Sequence, residues 1–149
     1  MISDATKDNL EILDILQEGA ISGNLLRLKR ELENIDYDKE QLKTLINKNV
    51  DGQNGRRVYR KCIYISNYVS ALVTCSRRGH RKMVQWLIDN GADVESCGSC
   101  EFDQDLLVDV PALWAASAAG HFTIVQILVF QGANVNSRTK TNSTPLRFV

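Results

Sequence analysis

The 149-residue sequence predicts an all-α solenoid of helix-turn-helix repeats that carries β-hairpin fingers. Three observations carry the prediction. Residues 70–94, SALVTCSRRGHRKMVQWLIDNGADV, align without a gap on residues 111–135, PALWAASAAGHFTIVQILVFQGANV, and 11 of the 25 positions are identical. Within each copy, apolar residues recur at the three- and four-residue steps of a helix face, and glycines close the runs. A further start, Thr144–Pro145–Leu146, follows the second copy. Self-similarity of this kind marks stacked units, each burying its apolar face against its neighbours.

The step from Leu113 to Leu146 is 33 residues, the ankyrin period, so the array is expected to be an ankyrin-repeat solenoid. From Leu72 to Leu113 the step is 41 residues, which is 33 plus 8. An eight-residue insertion therefore separates the copies, within CGSCEFDQDLLVDV (97–110).

The elements follow in chain order. In EGAISGNLLRLKREL (18–32), Gly23–Asn24 stands where the later copies have Gly–His. Leu25, Leu26, Leu28 and Leu32 fit the second helix of a degenerate first repeat. DKEQLKTLINK (38–48) reads as an added helix with Asp38 as its cap. Residues 51–69 interrupt the pattern; Ile63, Ile65 and Val69 alternate with Tyr64, Ser66 and Tyr68, as in a strand or hairpin. The third repeat is the clearest. Ala112 to Ala119 forms a first helix, because alanine favours helix and lets helices approach closely. Gly120 ends it with a left-handed cap. Phe122 to Gln131 forms the second helix, with Ile124, Val125, Ile127 and Leu128 on one side, and Gly132 closes it. Thr144 before Pro145 starts another helix, hydroxyl at the cap and proline in the first turn. The expected division is 9–50, a degenerate repeat plus an extra helix; 51–69, an insertion; 70–109, the second repeat with an acidic finger; 110–142, the third; and 143–149, the start of a fourth. As written the array is truncated, and the underside of the third repeat is expected to expose apolar surface until more chain or a partner covers it.

Bulk properties exclude several classes. Lysine plus arginine equals aspartate plus glutamate, 18 against 18, so no global field draws the chain to nucleic acid or membrane. The start, MISDATKDNLEILD, is acidic and lacks the apolar segment of a signal peptide. The longest apolar stretch, Ile124 to Phe130, is broken by Gln126 and is too short to span a bilayer. A chain with this character is expected to keep Cys62, Cys75, Cys97 and Cys100 as thiols, in the cytoplasm or nucleus.

Cys97 and Cys100 form a Cys-x-x-Cys pair, but a structural zinc site usually needs two such pairs. Cys62 and Cys75 are too far apart to supply the second, and Cys75 aligns with Ala116 inside a first helix. No metal, cofactor or redox role is expected. His80 and His121 occupy equivalent Gly–His turns, where a structural polar bond is expected; neither has a nucleophile beside it. No glycine-rich phosphate loop is present, and no enzyme activity is expected. The clusters Arg56–Arg57–Arg60–Lys61 and Arg77–Arg78–Arg81–Lys82 read as solvated surface or as attraction for acidic partners.

VPALWAASAAGHFTIVQILVFQGANVN, followed by TKTNSTPLR, resembles the amino-terminal ankyrin array of the fem-one (feminization-one) homologue family. The strings LWAASAAGH and TNSTPLR go beyond general ankyrin consensus. GSCEFDQDLLVDVPALW resembles that family's finger between its second and third repeats. The resemblance is strong from about 70 to 147, weak over 10–50 and absent over 53–69. It departs at Gln104, where the family has glycine, and at Phe148 and Val149.

The resemblance implies the substrate-recognition part of a cullin-RING ubiquitin ligase receptor. Such receptors bind carboxy-terminal peptides, often arginine-ended, in the concave groove. It implies adaptor and cullin docking only for a chain that continues beyond residue 149. Carried over by position, Phe102, Asp103 and Ser143 fall at the groove. A carboxylate at Asp103 accepts two parallel bonds from a guanidinium, a contact of about 1.5–3 kcal/mol where water is partly excluded. Phe102 either excludes that water or anchors the finger. Trp114, on a first helix and so on the concave side, either walls the ligand or packs against the finger. The expected partners are carboxy-terminal peptides of substrate proteins, with no nucleic acid and no membrane. The alternative is a generic ankyrin scaffold that binds a folded protein through its convex or finger surfaces, without a ligase role.

Overall fold

The computed structural model describes residues 4–48 and 70–148. Helix α1 spans Asp4–Ser22, α2 Leu25–Leu32 and α3 Lys39–Ile46. Then come α4 at Ala71–Arg78, α5 at Arg81–Asp89, strands β1 at Cys97–Phe102 and β2 at Asp105–Pro111, α6 at Ala112–Ala118 and α7 at Phe122–Phe130. A 3-10 turn at Pro145–Phe148 ends the described chain. This is the expected helical repeat solenoid, with one hairpin finger among the described residues. The strand expected around Ile63, the cluster Arg56–Lys61 and Cys62 lie outside the described residues. Among the described residues no helix is long and apolar enough to cross a membrane.

The first helices stack in one row, with α1 on α4, α4 on α6 and α6 on the 3-10 turn. Small residues permit the close stack: Ala71, Ala112, Ala115 and Ala116 are all buried. The second helices α2, α5 and α7 form the outer row. Between the rows lie Leu28, Leu72, Met83, Leu87, Ile124 and Leu128, each within 2% of complete burial. The face expected on α7 is present but narrower. Ile124 and Leu128 are buried, whereas Val125 and Ile127 are half-buried. Leu25, Leu26, Leu28 and Leu32 all fall on α2 as expected, and Leu26 is 78% exposed because it lies on the side of α2 opposite the buried pair Leu28 and Leu32. On α7, Phe122 and Phe130 are 64% and 88% exposed, so an apolar outer surface is open at this repeat.

Added helix α3 is capped as expected, since Asp38 Oδ1 accepts from Gln41 N at 2.6 Å. It packs on α1 and buries Leu42, Leu45 and Ile46.

Repeats are keyed to one another by the Gly–His turns. His80 Nε2 donates to the Ile21 carbonyl at 3.0 Å, and His121 Nε2 donates to the Arg77 carbonyl at 3.1 Å. Each accepting carbonyl lies two residues before a glycine with positive φ, Gly23 at 71° and Gly79 at 81°. A Cβ at Gly79 would lie 2.6 Å from His121 Cε1, and one at Gly23 would collide with the His80 ring. The missing side chain is thus the socket that receives the next repeat's imidazole. The loops add a second set of links: Asp93 N donates to Asn47 Oδ1 at 2.7 Å, and Asn134 N donates to Glu95 Oε1 at 2.6 Å.

Candidate functional site

The finger is an antiparallel hairpin pairing Cys97 with Pro111, Gly98 with Val110, Cys100 with Leu107 and Phe102 with Asp105. Asp103 and Gln104 form its two-residue turn, at φ 51° and 71°. Positive φ at both positions is the mark of the turns that match strand twist in tight hairpins. The turn therefore survives glutamine where the resemblance gives glycine. Between the Gly98–Val110 and Cys100–Leu107 pairs, Ser99 of β1 faces both Val108 and Asp109 of β2, so the bulge lies on β2 and includes Asp109 at φ 52°. Asp109 is held there by Lys140, Nζ to Oδ2 at 2.6 Å. The bulge bends the hairpin, which packs on α4 and α6, the inner row, not the outer one.

Phe102 fixes the tip. Its ring meets Trp114 edge to face, with centroids 5.4 Å apart and planes at 71°. Such a pair contributes on the order of 1 kcal/mol beyond its buried area. Trp114 is 2% exposed, and its indole Nε1 donates to Ser143 Oγ at 3.0 Å. Ser143 is held in turn, since its N donates to Thr139 Oγ1 at 3.2 Å and its carbonyl accepts from Thr139 N at 3.1 Å. Three residues singled out from sequence, Phe102, Trp114 and Ser143, therefore form one connected brace. Trp114 is its buried middle. It touches the finger, and at 2% exposure it has no surface left for a ligand, so the ligand wall is corrected to packing behind Phe102. Asp103 stands one residue beyond the brace, exposed at the tip. Ser143 is half-buried and keeps a hydroxyl proton to donate.

Sequence reasoning missed Arg77. Its guanidinium carbon lies 5.7 Å from the centre of the Phe102 ring, a cation–π contact. The signal was available: Arg77 is one turn after Val73, and Val73 aligns with Trp114, so Arg77 shares the inner face. The site thus holds both signs of charge, Asp103 at the tip and Arg77 over its aromatic support.

Cys100 is buried beside Arg77. Burial pushes its thiol up to about 11, against the pull of the guanidinium. Cys97 is also raised, first by burial and then by Asp109, Glu95 and Asp93. Both sulfurs are therefore protonated at neutral pH, which is the reverse of an activated Cys-x-x-Cys pair. Among the described residues no group of three or more His, Cys, Asp or Glu side chains gathers as a metal site. Cys100 packs into the core at the finger base, and Cys97 is half-buried with its thiol towards the Glu95 carbonyl.

Residues 33–139 match the family model described as ankyrin repeats in three copies. The chain belongs to the ankyrin-repeat family. Within that family this ankyrin chain is fem-1-like. It is 43% identical over 79 residues to a protein fem-1 homolog of Drosophila melanogaster, which covers 52% of this chain and 12% of the fly protein. It is 36% identical over 134 residues to the sex-determining protein fem-1 of Caenorhabditis elegans, 89% of this chain and 18% of the worm protein. Protein fem-1 homolog A-A of Mus musculus is 52% identical over 75 residues, 50% of this chain and 12% of the mouse protein. The ankyrin chain thus spans less than a fifth of these relatives' length. Ankyrin repeats are protein-interaction modules, and the stacked surfaces of this ankyrin array serve that coarse role.

Proposed function

We propose that this array is a peptide-binding module that grips basic carboxy-terminal tails, arginine-ended ones above all, beside the finger. In this reading it is the substrate-recognition part of a cullin-RING ubiquitin ligase receptor, non-catalytic and cytoplasmic or nuclear. Docking to adaptor and cullin belongs to this reading only for a chain that continues beyond residue 149. The observation that supports the reading is the Phe102–Trp114–Ser143 brace, which packs the residue next to Asp103 against the first helix α6. A carboxylate with a fixed support meets a guanidinium without first ordering a mobile loop, and less ordering entropy means tighter binding. Ser143 supplies a hydroxyl to the peptide's polar groups. A neutral terminal residue would leave Asp103 facing it without a partner, which gives the selectivity.

The test is titration of arginine-ended and alanine-ended peptides into wild type and Asp103→Ala. The variant should bind the arginine-ended peptide roughly tenfold more weakly, about the value of one charge-assisted contact. Superimposable curves for the two proteins would reject the role of Asp103. A second reading, a generic scaffold for a folded protein, is favoured by the apolar outer surface at Phe122 and Phe130. In that case Phe130→Glu, not Asp103→Ala, abolishes capture of the partner.

A further inference from the structure

The outer row holds a second surface, unrelated to the finger. Helices α5 and α7 pack more closely on each other than α2 and α5 do, and the gap between α2 and α5 is an open cleft of about 670 Å³. That volume is far larger than an ion needs and suits several side chains of an extended segment. Leu25 and Trp86, both half-buried, give it an apolar lining. Three exposed cations border it: Lys29 on α2, and Arg81 and Lys82 at the start of α5. None of the three makes an ion pair among the described residues. Neighbouring Arg27, by contrast, is engaged by Glu18 at 2.9 Å and Glu31 at 2.7 Å. Among the described residues the one carboxylate on the lining is Asp89, and its Oδ1 already accepts from Gln85 Nε2 at 2.8 Å. His80 caps α5 without a side-chain bond to it, so the positive end of the helix dipole adds to the field. The basic run seen in the sequence is thereby split: Arg77 turns to the finger, whereas Arg81 and Lys82 serve the cleft.

We propose that this cleft binds an acidic peptide segment of a protein partner. Its carboxylates meet Lys29, Arg81 and Lys82, and an apolar side chain between them lies on Leu25 and Trp86. A concave apolar lining bordered by three exposed cations fits alternating acidic and apolar side chains. A bilayer or a nucleic-acid backbone would favour a broad flat basic face, whereas this cleft is a concavity bordered by three exposed cations.

The experiment is fluorescence anisotropy with the full chain and a labelled peptide of glutamates around a central phenylalanine. The same peptide with lysine for glutamate is the control, and phosphatidylserine vesicles and single-stranded RNA are competing probes. The acidic peptide should bind roughly tenfold or more tightly than its lysine counterpart, with affinity falling severalfold as salt rises from about 0.05 to 0.3 M. Lys29→Glu/Arg81→Glu/Lys82→Glu should lose roughly tenfold or more while its circular dichroism matches wild type. Trp86→Leu should weaken binding without changing the salt dependence, and Asp103→Ala should leave it unchanged. Should the triple variant unfold, Lys29→Gln and Lys82→Gln read the same loss singly. Equal binding by folded charge-reversed protein and wild type overturns the proposal. So does failure of wild type to prefer the acidic peptide. Binding of vesicles or RNA in place of the peptide overturns it in favour of that ligand.

Discussion

The imidazole sockets predict an unequal cost for the same substitution at two equivalent glycines. Gly79 and Gly120 both follow first helices, at φ 81° and 75°. Alanine at either position takes a left-handed conformation that costs a non-glycine residue about 1–2 kcal/mol. At Gly120 nothing lies within 4 Å of the added Cβ, so that is the whole cost. At Gly79 the Cβ would lie 2.6–2.9 Å from three atoms of the His121 ring, and the ring has to move. Moving it breaks the 3.1 Å bond to the Arg77 carbonyl. A net hydrogen bond contributes about 1 kcal/mol, and a carbonyl left dry costs more. Gly79→Ala should therefore destabilise by about 2–4 kcal/mol and Gly120→Ala by about 1–2 kcal/mol. Urea unfolding followed by circular dichroism measures both, with the slope confirming that the same surface is exposed. The decisive comparison adds His121→Ala. Without the ring, Gly79→Ala should cost no more than Gly120→Ala does. An undiminished penalty in the His121→Ala background would refute the socket.

Ser143→Ala should remove the hydroxyl that accepts from the buried Trp114 N–H and lower stability by about 0.5–1.5 kcal/mol, seen as a drop in the urea midpoint. Gln104→Gly relieves φ 71° in the finger turn and should raise stability by roughly 0.5–1 kcal/mol, read as a higher Tm. Burial lifts the Cys100 thiol to about 11 from an ordinary value near 9. Between those values the unfolded chain has lost the proton that the folded chain keeps, so the folded state binds more protons and stability falls as pH rises. Alkylation at mild alkaline pH should accordingly modify half-buried Cys97 before Cys100, with Cys75, fully buried and raised further, last, as peptide mapping by mass would show.

The legible parts were those written in local pattern. Repeated apolar spacing announces which helix face is buried, because only a packed neighbour can remove that face from water. Glycine after each first helix announces a left-handed cap, because other side chains resist that geometry. The added helix with its Asp38 cap was readable for the same reason, whereas the finger within residues 97–110 came from the insertion's length and the resemblance. Leu26 was not, since a run of leucines fits the pattern whether each one faces inward or outward, and the rotation of α2 on α1 decides.

The candidate site divides along the same line. Phe102, Asp103, Trp114 and Ser143 were recoverable from the sequence by the repeat alignment and the resemblance, as positions. Which of them touch depends on how a bulged hairpin leans on two stacked helices, and that angle has no local code. Of the two roles open to Trp114, wall or packing against the finger, burial leaves the second, and the same lean brought Arg77 over Phe102. The outer cleft likewise exists because α2 stands away from α5. The sequence alone determined the repeat, its helices and its turns, since those rest on contacts a few residues apart. Tertiary structure decided which charges and rings share a surface, because that depends on distances between repeats that no single repeat encodes.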